Sequence, residues 1–259
     1  MDHEHSSAAL NAGRFDSTRW SVVLEAAQSQ TPGGPQALAQ LCTQYWRPLY
    51  VFARGRGHPR EEAQDLVQGF FEHLIGKRGL ASVDPAKGRF RSFLLASFQH
   101  FIAAEIRRAC RQKRGGDAKV IRLDWENAEG RLVFEPVDRL TPETLYDAQW
   151  AMVLLGRATE QLRQEHETAG KAEIFAVLQS FLGDEGRRVE VPYEEAARAL
   201  HISVSAVKTL IHRARRRHSE LLRKEVALTL SDPVQVDAEI RALCEALVAT
   251  RRRASFFSS

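Results

Sequence analysis

Apolar residues recur three and four positions apart along most of this chain, and the strict alternation of a half-buried strand is scarce. That periodicity confines the fold to packed helices, because each apolar stripe must bury itself against another. The cleanest stripe is Ala63, Leu66, Val67, Phe70, Phe71, Leu74 and Ile75. It predicts a helix whose first turn holds Pro59, a residue suited to that place because the amide it lacks would have no partner there. An earlier stripe, Leu38, Leu41, Cys42, Tyr45, Trp46, Leu49 and Tyr50, follows a break at Gly33-Gly34-Pro35 and predicts a helix kinked at Pro48. A third helix, over about residues 90–113, is expected to bury Phe90, Phe93, Leu94, Phe98, Phe101, Ile102 and Ile106 and to stop at Gly115-Gly116. With a loop over residues 76–88, these form one small helical domain over residues 19–116, behind a mobile N-terminus of residues 1–18.

The expected fold class is all-α: two small helical domains joined by a long, acidic, partly helical connector. Residues 117–140 are that connector, with Val120-Ile121-Arg122-Leu123 as a short extended piece. Thr141, Pro142 and Glu143 then supply an N-cap, a first-position proline and a first-turn acid. The helix they open, to about Glu167, carries Tyr146, Trp150, Val153, Leu154 and Leu162 on one face. A second domain spans residues 141–230 and includes an amphipathic piece at 172–182 and a charged loop at 183–191. Beyond Asp232-Pro233, the stripe Val236, Ile240, Leu243, Leu247 and Val248 marks an extra helix in residues 231–259, ahead of a frayed tail. That helix either braces the helix-turn-helix of the second domain or is regulatory.

Net charge is only +4, yet it is distributed in blocks. Residues 47–116 hold 14 basic and 6 acidic side chains, residues 117–195 hold 9 and 17, and residues 196–224 hold 8 and 1. The chain is therefore basic, acidic, basic at +8, −8 and +7. Two dense basic blocks are either polyanion footprints or well-solvated helix faces. The acidic block between them could lie over one and compete with DNA.

The second basic block contains a recognisable device. Residues 192–217 read PYEEAARALHISVSAVKTLIHRARRR. A short helix from Tyr193 turns Ala196, Ala197 and Leu200 inward, and Ile202 plugs a three-residue turn, His201-Ile202-Ser203. Ser203 then caps a second helix that buries Val204, Val207, Leu210, Ile211 and Ala214. Small residues at the crossing and a polar, basic outer face fit a helix-turn-helix whose second helix enters the major groove. Ser205 lies on that outer face. Lys208, Thr209 and His212 would face base edges, and Arg213, Arg215, Arg216 and Arg217 would face phosphates.

Other function classes are disfavoured. No apolar run approaches the roughly 20 residues a membrane helix needs, and the first residues have neither the basic start nor the apolar stretch of a signal peptide. Cys42, Cys110 and Cys244 are far apart and odd in number, so they read as small core residues of a protein in a reducing cytoplasm. There is no HExxH, no P-loop and no Ser/Cys-His pattern at useful spacing, and His73 and His100 stand alone. No catalytic residue, metal site or cofactor is expected, and the chain is read as a non-enzyme.

Taken together, residues 45–114, with DLVQGFFEHL at 65–74 and FRSFLLASFQHFIAAEIRR at 90–108, and the helix-turn-helix resemble a bacterial RNA polymerase sigma factor of the extracytoplasmic-function class. The long connector and extra C-terminal helix suggest an enlarged variety. The resemblance implies core RNA polymerase and promoter DNA as partners and leaves room for an anti-sigma factor. It implies that Asp65, Leu66, Val67, Gln68, Phe71 and Glu72 dock on the polymerase clamp. Arg89, Arg91, His100, Arg107, Arg108, Arg111, Lys113 and Arg114 would bind and open the −10 element. The helix-turn-helix residues named above would read the −35 element. Phe93, His100 and His201 depart from the Trp, Asn and Gly common at these positions in the family, and the usual Leu-Pro start of the C-terminal domain is missing. The alternative is a freestanding regulator that binds duplex operators without polymerase, but it would need neither the 65–74 helix nor the first basic helix.

Overall fold

The computed structural model describes residues 34–75, 88–109, 140–182 and 192–254. Among these residues the regular structure is helical and no strand occurs, as the periodicity requires. The helices are α1 (Gly34–Gly55), α2 (Arg60–Ile75), α3 (Phe90–Ala109), α4 (Pro142–Thr168), α5 (Ala172–Leu178), α6 (Tyr193–Leu200), α7 (Val204–Ala227) and α8 (Val236–Ala254). Short 3₁₀ turns at Gln179–Phe181 and Pro233–Gln235 follow α5 and precede α8. The N-terminus expected to be mobile, the extended piece expected at 120–123, the stop expected at Gly115-Gly116, Cys110 and the loops expected within 76–87 and 183–191 lie outside the described residues. Two compact units result. One takes the described residues up to Trp150 together with those from Ala227 onward, and the other is Ala151–Val226.

The first unit is built around rings. Tyr45, Phe52, Phe70, Phe71, Phe90, Phe98, Tyr146 and Trp150 are all fully buried. Tyr45 stacks on Trp150 with centroids 4.3 Å apart, and Phe70 meets Phe98 at 5.1 Å. Such pairs add about 0.5–1.5 kcal/mol each beyond the apolar area they bury. α1 continues through Pro48. Its last residue, Gly55, passes so close to the start of α4 that an added Cβ would lie 3.2 Å from Leu145 Cδ1 and 3.4 Å from Pro142 Cα. Thr141 caps α4 as expected, its Oγ1 accepting from the Thr144 amide at 3.1 Å.

The C-terminal segment is part of this first unit, whereas the sequence sets residues 231–259 behind the second domain. The Thr229 carbonyl accepts from the Phe90 amide at 2.9 Å, satisfying one of the orphan donors at the start of α3. Asp232 caps the turn leading into α8 by accepting from the Val234 amide at 3.0 Å. From α8, the fully buried Glu239 accepts from Arg91 Nε at 2.5 Å and Arg89 Nε at 3.1 Å. α8 is thus a brace on α3. Three apolar expectations fail, the first at Val248, which is 47% exposed on α8. Ile106 is 52% exposed near the end of α3, and Cys244 is exposed on α8 although Cys42 is buried.

The second unit packs Ala158, Leu162, Phe175, Leu178, Ala196, Ala197, Val207, Ile211, Ala214 and Leu221 into one core. Its buried polar groups are paired, as they must be where water is excluded. Thr159 Oγ1 lies 2.9 Å from His218 Nε2. Glu225 accepts from Gln161 at 2.5 Å and pairs with Arg157 at 3.1 Å. No helix among the described residues is long and apolar enough to cross a membrane.

Candidate nucleic-acid interface

The helix-turn-helix is present, and its turn is closed by two caps. At the end of α6 the Ile202 amide donates to Ala197 O at 3.1 Å and the His201 amide to Arg198 O at 3.3 Å. This six-to-one and five-to-two pair defines a Schellman ending, with Ile202 packed on the core beside Ala197. His201 holds the left-handed position, φ 52° and ψ 40°, and is the one non-glycine with positive φ among the described residues. α4 ends in the same geometry with Gly170 in that place. Ser203 then opens α7, its Oγ accepting from the Ala206 amide at 3.2 Å.

Because each helical residue turns by about 100°, Ser205, Lys208, Thr209, His212, Arg213 and Arg216 share one face of α7. All six are exposed, opposite the buried Val207, Ile211 and Ala214. Arg215 and Arg217 lie off that face and are engaged elsewhere. Arg215 donates from Nε and Nη2 to the Phe181 carbonyl at 3.1 and 2.9 Å. Arg217 forms a bidentate pair with Glu165 at 2.9 and 2.7 Å and also reaches Glu220. Its hydrogen bonds hold the Glu165 carboxyl below the usual carboxylate range. Arg216 pairs with the same Glu220 at 3.2 Å. The structure therefore sorts one run of arginines into an outward set and an architectural set.

On α2 the accessible face carries Asp65, Gln68 and Glu72, with Leu66 half-buried at its margin. Gln68 Nε2 donates to Glu72 at 3.3 Å. Val67 and Phe71 are fully buried, which removes them from any docking surface. Their spacing places them with Ala63, Phe70 and Leu74, so the expectation that they meet a partner is corrected.

On α3, His100 and Arg107 stand on the face opposite Phe90, Leu94 and Phe98, and both are exposed. Arg108 is exposed and pairs with Glu105 at 2.6 Å. Arg89 keeps about a third of its side chain, 34%, accessible. Arg91 is corrected. Its guanidinium is buried between Glu239 and Asp147, and it makes no DNA-facing surface. Burial opposes its charge, but the hydrogen bonds and charges of Glu239 and Asp147 outweigh that cost and raise its pKa. The buried Tyr146 hydroxyl, whose own pKa is pushed well up by burial, donates to the Arg91 carbonyl at 2.9 Å. Arg111, Lys113 and Arg114 lie outside the described residues.

Several participants were not anticipated from sequence: Glu239 and Thr229 at the start of α3, and Phe181, Tyr193 and Glu165 around α7. Only Tyr193 left a signal, an aromatic at the first position of a short helix and off its core stripe. No three of His, Cys, Asp and Glu gather as a metal site among the described residues. No curated protein and no solved structure matches the chain. Residues 189–217 match the family described as Sigma-70, region 4, which makes the segment that builds this interface similar to a sigma-factor DNA-binding segment with a role in promoter recognition.

Proposed function

We propose that the chain is a sigma factor of the extracytoplasmic-function class, in an enlarged variety, acting in the bacterial cytoplasm. In this reading it binds core RNA polymerase, directs it to promoters and helps open the −10 element. The observation that carries the reading is the coincidence of the Sigma-70, region 4 match with a helix-turn-helix whose outward face is polar and basic. The face Ser205, Lys208, Thr209, His212, Arg213 and Arg216 would meet the −35 element, bases first and phosphates around them. Asp65, Leu66, Gln68 and Glu72 would meet the polymerase clamp, where an acidic helix face with an apolar margin suits a basic partner helix. Arg89, His100, Arg107 and Arg108, with Arg111, Lys113 and Arg114 beyond them, would attract the backbone and stack an unpaired base at the −10 element. Strand opening of this kind is driven by binding energy captured from single-stranded DNA, with no hydrolysis.

The test is transcription in vitro by core polymerase over a genomic library, with and without the protein. Specific start sites that depend on the protein are expected. Asp65→Ala with Gln68→Ala should weaken core binding and leave the circular dichroism spectrum unchanged. Lys208→Ala with Arg213→Ala should erase upstream footprints while core binding persists. Tight, specific duplex binding with no affinity for core polymerase would overturn the proposal in favour of a freestanding regulator.

A further inference from the structure

Two aromatic residues on either side of residues 183–191 come together beneath one lysine of α7. Phe181 ends the 3₁₀ turn after α5, and Tyr193 begins α6. Their rings stack with centroids 5.6 Å apart and planes 7° from parallel. Lys208 Nζ sits over the Tyr193 ring, 5.3 Å from its centroid. One turn pair further along α7, Arg215 fastens the Phe181 backbone through its two hydrogen bonds to the carbonyl. α7 therefore holds both ends of the assembly, with Arg215 on the backbone carbonyl of Phe181 and Lys208 over the ring of Tyr193.

The chemistry of this arrangement differs from that of the neighbouring arginines. Glu220 and Glu165 occupy donors of Arg216 and Arg217 and offset their charge. An aromatic face attracts an ammonium through its quadrupole yet accepts none of its three N–H bonds in the usual sense. Lys208 is thus held in direction while its donors stay available for guanine O6 and N7 or for a phosphate. Tyr193 is 39% exposed, so the ring is not there to fill the core.

We propose that Tyr193, backed by Phe181 and Arg215, is a positioning residue that aims Lys208 and so sharpens the sequence preference of the helix-turn-helix. This rests on the reading of α7 as the DNA-contacting helix. Fixing the lysine before binding lowers the ordering cost of binding and favours the one base step the ammonium already faces.

The test is selection of a randomised duplex library by the full-length chain, with and without core RNA polymerase, followed by sequencing and titration of the wild-type winner. Lys208→Ala should relax the preference at one or two base pairs. Tyr193→Leu should relax the same positions and weaken binding roughly two- to fivefold, the size of an exposed cation–π contact. Tyr193→Phe, which keeps the ring, should match wild type, and Tyr193→Leu should add nothing in the Lys208→Ala background. If Lys208→Ala selects the wild-type sequences, the reading of α7 fails and the proposal falls with it. If Lys208→Ala relaxes a position that Tyr193→Leu leaves sharp, the positioning role alone is overturned. A Tyr193→Leu loss that persists in the Lys208→Ala background, or that Phe does not rescue, also overturns it.

Discussion

Replacing Glu239 with Gln removes one charge and leaves the side-chain shape nearly intact. In the native protein this carboxylate is fully buried and takes Arg91 Nε at 2.5 Å, Arg91 Nη2 at 3.3 Å and Arg89 Nε at 3.1 Å. Breaking a buried ion pair from one side costs about 3–5 kcal/mol, because the remaining charge is stranded without water. Here Asp147 stays beside Arg91 and Arg89 can turn to solvent, so the lower end, about 3 kcal/mol, is expected. For a chain of this size each kcal/mol moves the midpoint by about 2–4 °C, giving a fall of about 6–12 °C. Thermal unfolding followed by near-ultraviolet circular dichroism reads it directly, since Tyr45 and Trp150 stack in the same unit. The double replacement Arg91→Met with Glu239→Leu should cost less than the sum of the two single changes, because apolar residues of similar volume substitute well for a buried pair while Asp147 and Arg89, 28% and 34% accessible, turn to water. A Gln variant that melts with wild type, or a double variant that loses the sum of the two single costs, would refute the reasoning.

Two further outcomes follow from the caps of the helix-turn-helix. His201→Gly should stabilise the protein by about 1 kcal/mol in urea unfolding, because the left-handed conformation costs a side chain of the L series that much and glycine almost nothing; a less stable variant would show that His201 earns its place through a contact. Ser203→Ala should cost about 1 kcal/mol by the same measurement, the ordinary value of an N-cap hydroxyl, and no change would mean that the Ala206 amide finds an equal partner in water.

The helices and the helix-turn-helix were legible because their information is local: periodicity, a capping serine, a proline at a first turn. The errors divide by cause. Val67 and Phe71 were readable, since both belong to the 3.6-residue stripe of α2, and assigning them also to a docking surface asked one side chain to face two ways. Arg91 was partly readable, as it stands three and seven residues before Leu94 and Phe98 on the buried side of α3. Counting it with the basic block ignored that angle. Its partner Glu239 is 148 positions away, and no local pattern pairs residues at that distance. Arg215 and Arg217 show the same limit: a run of arginines has one composition but several directions, and only the fold says which of them meet Phe181 and Glu165.

The brace from α8 also governs when the protein can become itself. A chain leaving the ribosome presents α1, α2 and α3 first, and Asp147 soon after. The Thr229 carbonyl and the Glu239 carboxylate that finish the start of α3 follow much later, Glu239 148 positions after Arg91. Until then Arg91 has Asp147 without Glu239, and the amide of Phe90 is without the Thr229 carbonyl. Long-range closure of this kind slows folding and lengthens the exposure of apolar surface to proteases and chaperones. A product that stops before Thr229 would lack both the Thr229 carbonyl and the Glu239 carboxylate, and is expected to be degraded faster than one that contains them. The start of α3 in this way depends on residues that the ribosome adds long after α3 itself.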